Sequence, residues 1–375
     1  MKKILAVFKK DIMLGVAVLA ALVSLFITPP GEATLAGIDW KTLATLFMLL
    51  LILEGFKSEN LFLPVIRLSG RMRTQTGLSF FLIFGVFLSS MFVTNDVSLI
   101  IFVPLTILLF RAGQKERYLL PVLTLENIAA VRGSLLTPFG SPQNLFLFSQ
   151  SGISAGEFLL MMLPLFLGSA VLLALFLCFL YRKNPRENVS ISSEAAGIWE
   201  PERKGIRILY LLLFLLVITT IVTRTALWPW VTLLVTVLLL IFDRPIFRKV
   251  DYALLLTFLC FFIFASSVAA NETIAGFLTR SVGGHEYLWS IALSQIISNV
   301  PASIVLWPFT TELKPLIYGL DTAGLVSVIG SLASVINLRL YIREYPGQGG
   351  RFMWVFEKIS LLFFIIVFPL QWLLL

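Results

Sequence analysis

Charge is what this chain of 375 residues has least of: Asp, Glu, Lys and Arg together make up only 13% of it. A soluble domain carries about a quarter charged residues, so this deficit excludes an ordinary water-facing surface. Histidine occurs once, at His285, and cysteine twice, at Cys178 and Cys260, both cysteines inside apolar runs. One imidazole and two separated thiols cannot supply the ligands of a zinc or haem site. No cofactor is expected, and the cysteines read as small packing residues. No G-x-x-x-x-G-K-[ST] phosphate loop occurs, which excludes an ATP-driven motor in this chain. No H-E-x-x-H occurs either, so a membrane-bound enzyme finds little apparatus here. The net charge of +8 does not point to nucleic acid, because the basic residues do not interleave with stacking aromatics.

What is present is apolar sequence: 58% of residues are hydrophobic and the mean hydropathy is +0.94. Runs long enough for a bilayer recur at about 11–28, 40–56, 118–148, 156–181, 206–223, 227–242, 252–270, 316–338 and 352–373. No stretch reads as a separate soluble domain. Lys2, Lys3, Lys9 and Lys10 precede the first run without a small-x-small cleavage site after it, so the run reads as a transmembrane helix rather than a signal peptide. Two further apolar stretches, about 77–111 and 285–312, are broken near the middle, by Thr94-Asn95-Asp96 and by Ser298-Asn299.

Loop charge orients the chain in an inner membrane. Lys2 to Lys10 place the N-terminus in the cytoplasm, and Glu32 and Asp39 then lie outside. Arg67, Arg71 and Arg73 belong inside, and so do Arg111, Lys115 and Arg117, on the far side of the first broken stretch. A single crossing would strand one cluster. A hairpin entering and leaving from the cytoplasm satisfies both, with arms of about 15 residues, short for full spans. Arg182 to Arg207, then Arg244, Arg248 and Lys249, then Arg339, Arg343 and Arg351 return inside, so the second broken stretch enters from outside.

The expected fold is therefore an all-α polytopic membrane protein of two inverted repeats, each with a re-entrant hairpin and a broken helix. Residues 1–181 form the first repeat, 182–226 a cytoplasmic loop and linking helix, and 227–375 the second repeat. Sliding the chain by 204 positions (299 − 95) superposes Ser90 on Ser294, Thr94 on Ser298, Asn95 on Asn299, Pro104 on Pro308 and Thr106 on Thr310.

The chemistry concentrates at the breaks. Thr94, Asn95, Asp96, Ser298 and Asn299 stand at the hairpin tips, where they either cap the return arms or expose oxygens to a cation and helix N–H groups to an anion. Two prolines and a glycine in Thr137-Pro138-Phe139-Gly140-Ser141-Pro142-Gln143-Asn144 break a hydrophobic segment. The freed carbonyls, with Thr137, Ser141, Gln143 and Asn144, are hard oxygen ligands suited to Na⁺ or a polar solute. Gly330-Ser331 marks a second such break. Ionisable residues within or beside the runs are expensive and usually functional. Glu54 pairs with Lys57 or snorkels; Glu126 pairs with Arg132, or Arg132 is left as counter-charge for an anion. Asp321 lies near the outer end of the second broken helix, and Glu272 reads as a loop residue.

The motifs Phe92-Val93-Thr94-Asn95-Asp96-Val97-Ser98, Leu136-Thr137-Pro138-Phe139-Gly140-Ser141-Pro142-Gln143-Asn144 and Ile297-Ser298-Asn299-Val300-Pro301 resemble those of the ion transporter superfamily, most closely its citrate-transporter-like anion permeases. The resemblance covers nearly the whole chain. It implies a scaffold domain, a transport domain carrying the hairpins, an elevator-type movement and often a homodimer in the lipid. By motif, Thr94, Asn95, Gly140, Ser141, Ser298, Asn299 and Gly330 would lie at coupling-ion and solute sites. Asp96 and Val300-Pro301 depart from the dicarboxylate branch. The functional expectation is secondary transport of a small anion, citrate or another carboxylate, coupled to Na⁺ or H⁺. Arsenite export, Na⁺/H⁺ antiport and a membrane-bound enzyme or accessory subunit are the alternatives.

Overall fold

The computed structural model describes residues 12–29, 31, 35–59, 61, 68, 72–188 and 203–375. The charges at Lys2 to Lys10, Glu32, Arg67 and Arg71, on which the expected orientation partly rests, lie outside the described residues. Within them the chain is all-helical, with sixteen α-helices and no strand beyond an isolated bridge between Thr74 and Asn188. Among the described residues, seven helical segments are long and apolar enough to cross a membrane. The chain is thus a polytopic membrane protein.

The helices begin where short polar side chains precede apolar runs. Asp39 accepts from Thr42 N (2.9 Å) to open α2, Trp40–Ser58, which follows α1, Ile12–Ile27. Thr74 accepts from Gly77 N to open α3, Gln75–Val93. These contacts satisfy first-turn N–H groups that have no partner within the helix.

Thr94 ends α3 and α4, Asn95–Ala112, returns against it, with Ser89 and Ser98 hydroxyls 2.9 Å apart across the pair. Both feet of this hairpin meet Glu187: Gln75 N donates to its carbonyl (2.8 Å), and Lys115 and Arg117 donate to its carboxylate (2.6 Å each). The bonds from Lys115, first, and Arg117 hold the Glu187 carboxyl below the usual carboxylate range. The arms are longer than expected, 19 and 18 residues, so on length alone each is about a bilayer span. The second pair is shorter: α12, Glu286–Ile297, and α13, Asn299–Leu306. Pro104 is carried inside α4 because an apolar run to Phe110 continues the helix, whereas Pro308 is followed by Thr310-Thr311-Glu312 and the chain leaves in a 3₁₀ turn.

Both glycine-marked segments break. α5, Leu119–Gly133, passes through a 3₁₀ turn and an irregular stretch into α6, Pro142–Ser151, and α7 is Ala155–Leu180. α14, Leu313–Ala323, likewise passes through Val328–Gly330 into α15, Leu332–Glu344. The remaining helices are α8, Lys204–Thr223; α9, Trp228–Phe242; α10, Tyr252–Ala269; α11, Glu272–Val282; and α16, Gly349–Trp372. Glu272 is not in a loop but in the first turn of α11, which Asn271 caps (3.1 Å to Ile274 N).

The chain also contains one G-x-S-x-G spacing, Gly152-Ile153-Ser154-Ala155-Gly156, and its role is structural. Ser154 and Glu157 form a reciprocal capping box at the start of α7. No strand precedes this serine, as a nucleophile elbow requires.

The helices pack in two sets. One holds α1, α2 and α8 to α11; the other holds α3 to α7 and α12 to α16. They meet chiefly where α10 lies on α13 and α2 lies on α6. The second set is tied across the two halves of the chain by buried hydrogen bonds. Asn127 donates to Ser334 (2.9 Å), Asn337 to Leu123 O (2.8 Å) and Gln143 to Asp321 (3.0 Å).

Candidate functional site

Thr94 and Ser298 adopt the same rare backbone conformation, φ 70°, ψ 155° and φ 69°, ψ 159°. This region is essentially reserved for glycine, and holding another residue there costs about 1–3 kcal/mol. It strains both tips in the same way. Neither side chain makes a cap hydrogen bond to its return arm, so the capping reading of these two residues fails. Such strain concentrates at ligand clamps and switches.

Each tip rests on a broken segment of its own half. Asn95 N donates to Gly140 O (3.3 Å), and Thr137 Oγ1 to Met91 O (2.5 Å). In the second half, Asn299 Nδ2 donates to Leu320 O (3.4 Å) and Gln295 Nε2 to Ala323 O (3.2 Å), while Ser327 Oγ donates to Gln295 Oε1 (2.6 Å). Glycine is needed at both breaks because the backbones touch. A Cβ on Gly140 would sit 2.1 Å from Ser134 O, and one on Gly330 would sit 2.2 Å from Ala323 O.

A cavity of about 200 Å³ opens where the two helix sets meet. Thr94, Asp96, Phe139, Ser141 and Leu332 line it from one set; Leu53, Glu54, Lys57, Lys249 and Asp251 line it from the other. Asp96 Oδ1 is buried and has no hydrogen-bond partner. Glu54 pairs with Lys57, as expected. Lys249 donates to Ser58 (2.9 Å), and Asp251 caps α10. Among the described residues, the carboxylates of Asp96 and Asp251 and the ammonium of Lys249 therefore face the space without ion pairs of their own. The cavity lies at the C-terminal end of α2. At the other end of that helix the sets are pinned together: Gln150 donates to Asp39 (2.7 Å), and Arg224, the C-cap of α8, donates to Phe148 O on α6.

The structure thus brings Thr94, Asp96 and Ser141 to one cavity, with Asn95, Thr137 and Gly140 bonded to the same tip but not lining it. Ser298, Asn299, Gly330 and Ser331 form a second, buried group that does not line it. Gln143 and Asn144 lie between: Gln143 reaches Asp321, and Asn144 Oδ1 is buried without a partner. Arg132 lies away from the cavity, 1% exposed. Its Nε donates to Ser169 (2.8 Å) and its Nη1 to Asp321 O (3.2 Å) and Thr322 (3.3 Å). It does not pair with Glu126, which accepts from Thr106 instead. Asp321 is buried inside the bundle, 1% exposed, near the C-terminal end of α14. Lys249 and Asp251 were missed as lining residues because in sequence they look like any charged loop before a helix. Gln295 and Ser327 carried no signal at all.

Comparison with known proteins agrees in kind. Residues 4–333 match the sequence model of a family described as citrate transporter. The chain is 32% identical to an inner membrane protein of Escherichia coli, YbiR, over 87% of this chain and 85% of that one. It is 31% identical to a transporter of Methanocaldococcus jannaschii, MJ0456, over 81% of each. A 46 kDa membrane protein of Mycobacterium leprae is 24% identical over 81% of this chain and 79% of its own.

Proposed function

The chain belongs to the citrate transporter family, and on that premise we propose that it is a secondary transporter moving a small anion, a carboxylate such as citrate first among them, coupled to Na⁺ or H⁺. The observation that carries this reading is the cavity at the junction of two helix sets, lined by a strained tip with an unpartnered carboxylate. The α4 N-terminus at that tip offers N–H groups and a positive dipole end to an anion. Asp96 and Asp251 repel the same anion, so it enters only when a cation or proton accompanies it. That requirement is coupling.

The set holding both tips is tied internally by buried polar bonds, while among the described residues few polar contacts cross to the other set. Such a body moves as a unit, and an elevator-type exchange of the cavity between faces follows. In this reading the two tips and two breaks are inverted repeats, residues 1–181 and 227–375. The end bearing Lys57, Arg244, Arg248 and Lys249 is cytoplasmic, and Asp39 and Arg224 close the outside.

Asp96 also favours a second reading, Na⁺/H⁺ antiport or arsenite export, in which it binds the cation itself. The test is thermal unfolding of the purified protein against a panel of anions and arsenite, with and without Na⁺ and at two pH values. A ligand that binds the folded state at about 100 times its Kd stabilises it by ~2.7 kcal/mol. A carboxylate that raises Tm only with Na⁺ or at one pH supports the first reading. A response to Na⁺ or pH with no anion supports the second.

A further inference from the structure

Glu126 lies in α5, one layer behind the wall of the cavity, and is completely buried. Its Oε1 accepts from Thr106 Oγ1 on α4 at 2.5 Å, and its Oε2 is buried with no hydrogen-bond partner. The same seam between α4, α5 and α15 holds Asn127 bound to Ser334 and Asn337 bound to Leu123 O. Asn127 Oδ1 and Asn337 Oδ1 are likewise unpartnered. These unpartnered atoms are all acceptors.

Among the described residues, no cation reaches Glu126. On its own helix Arg132 is engaged by Ser169, Thr322 and Asp321 O. On α4 the charged residues are Asp96 and Arg111, near the two ends of the helix. On α15 they are Arg339, Arg343 and Glu344, on α16 Arg351, Glu357 and Lys358, and on α7 Glu157. Cys178 of α7, Tyr341 of α15 and, in the turn before α5, Glu116, Arg117 and Tyr118 complete the titratable groups. None of these forms an ion pair or hydrogen bond with Glu126 among the described residues. α3 carries no charged residue. An ionised carboxylate taken out of water without a counter-charge is among the most expensive groups a bundle can hold.

We propose that Glu126 is a proton-binding site of the helix set that carries both tips, occupied in the conformation seen here, and that the proton bound there is the coupling ion. The second half of this statement rests on the transport reading; the first does not. The bound proton occupies one carboxyl oxygen. It is taken from water on one side of the membrane and returned to water on the other, and no bond besides O–H forms or breaks.

Infrared difference spectroscopy of wild-type and Glu126→Gln protein at neutral pH tests the site. The expected result is loss of a protonated-carboxyl C=O band in the variant, with both proteins unfolding at the same temperature because glutamine has the shape of the neutral acid. Loss of a carboxylate band instead overturns the site, whatever solute is carried. Flux in proteoliposomes tests the coupling. With one proton per cycle, a gradient of about one pH unit sustains about tenfold solute accumulation. Glu126→Gln is expected to abolish that accumulation while solute-for-solute exchange persists. Undiminished accumulation overturns the coupling role. Absence of flux from both proteins counts against the transport reading, while the infrared band still decides the proton site.

Discussion

Replacing Gly140 with alanine places a methyl carbon 2.1 Å from Ser134 O, 2.8 Å from Ser134 C and 3.0 Å from its Cα. Carbon approaches a carbonyl oxygen to about 3.3 Å, so the strand of chain at Gly140 must retreat by about 1.2 Å. All three neighbours are backbone, and no side-chain rotation relieves the clash. Gly140 O accepts from Asn95 N at 3.3 Å, and Gly140 N donates to Thr137 O at 3.2 Å; a retreat of this size breaks both. Two hydrogen bonds at about 1 kcal/mol each and overpacking of about 1–3 kcal/mol sum to roughly 3–5 kcal/mol. Gly330→Ala meets Ala323 O at 2.2 Å and puts one such bond at risk, Gly330 N to Ser327 O at 3.2 Å, so the same reasoning gives roughly 2–4 kcal/mol. Gly168, on the exposed face of α7, has nothing within 4 Å of the point where a methyl would stand. Gly168→Ala is therefore the control, expected to be neutral or stabilising by up to ~1 kcal/mol. The assay is thermal unfolding in detergent, with Tm expected to fall by roughly 5 °C in both break variants. A Gly140→Ala protein as stable as wild type would refute the packing argument. Destabilisation at only one break would refute the equivalence of the two.

Asn95→Ala and Asn299→Ala are each expected to abolish transport while the protein inserts and folds, since losing the side-chain hydrogen bond from Asp96 N to Asn95, or from Asn299 to Leu320 O, costs only about 1 kcal/mol; near wild-type flux from both, measured beside expression in the membrane, would make them bystanders. Asp96→Asn is expected to remove or shift the Na⁺ or pH dependence of flux more than it lowers solute affinity, and superimposable activation curves would deny Asp96 a coupling role. Arg132→Met is expected to destabilise by about 3 kcal/mol, because it removes the three buried hydrogen bonds to Ser169, Asp321 O and Thr322 at roughly 1 kcal/mol each; a variant of unchanged Tm with weakened solute binding would instead mark Arg132 as a solute ligand.

The membrane class and the positions of the breaks were legible because polar and helix-breaking residues are rare in this chain. Thr94-Asn95-Asp96 and Gly140-Ser141-Pro142 stand out against apolar surroundings, and the structure interrupts its helices at both. Arm length was not legible. The first hairpin extends to Gln75 because Thr74 caps it there, a local choice that hydropathy does not register. Nor was the fate of the paired prolines, which depends on the residues that follow each. Charge partners were read least well. Sequence proximity suggested Glu126 with Arg132, but α5 turns the two toward different neighbours, Thr106 on α4 for one and Ser169 on α7 for the other. Which charged loop residues reach the cavity depends on the meeting of α2, α4 and α10, elements far apart in the chain.

Uptake into proteoliposomes is the most direct test of ion-coupled anion transport. Purified protein is reconstituted, Na⁺ and pH gradients are imposed separately, and accumulation of citrate and other small carboxylates is followed with Asn95→Ala as control. The account predicts saturable accumulation of at least one carboxylate that needs one of the two gradients, collapses when an ionophore dissipates it, and is absent from the variant. Accumulation that ignores both gradients, or none for any anion while the protein is folded and inserted, would contradict it.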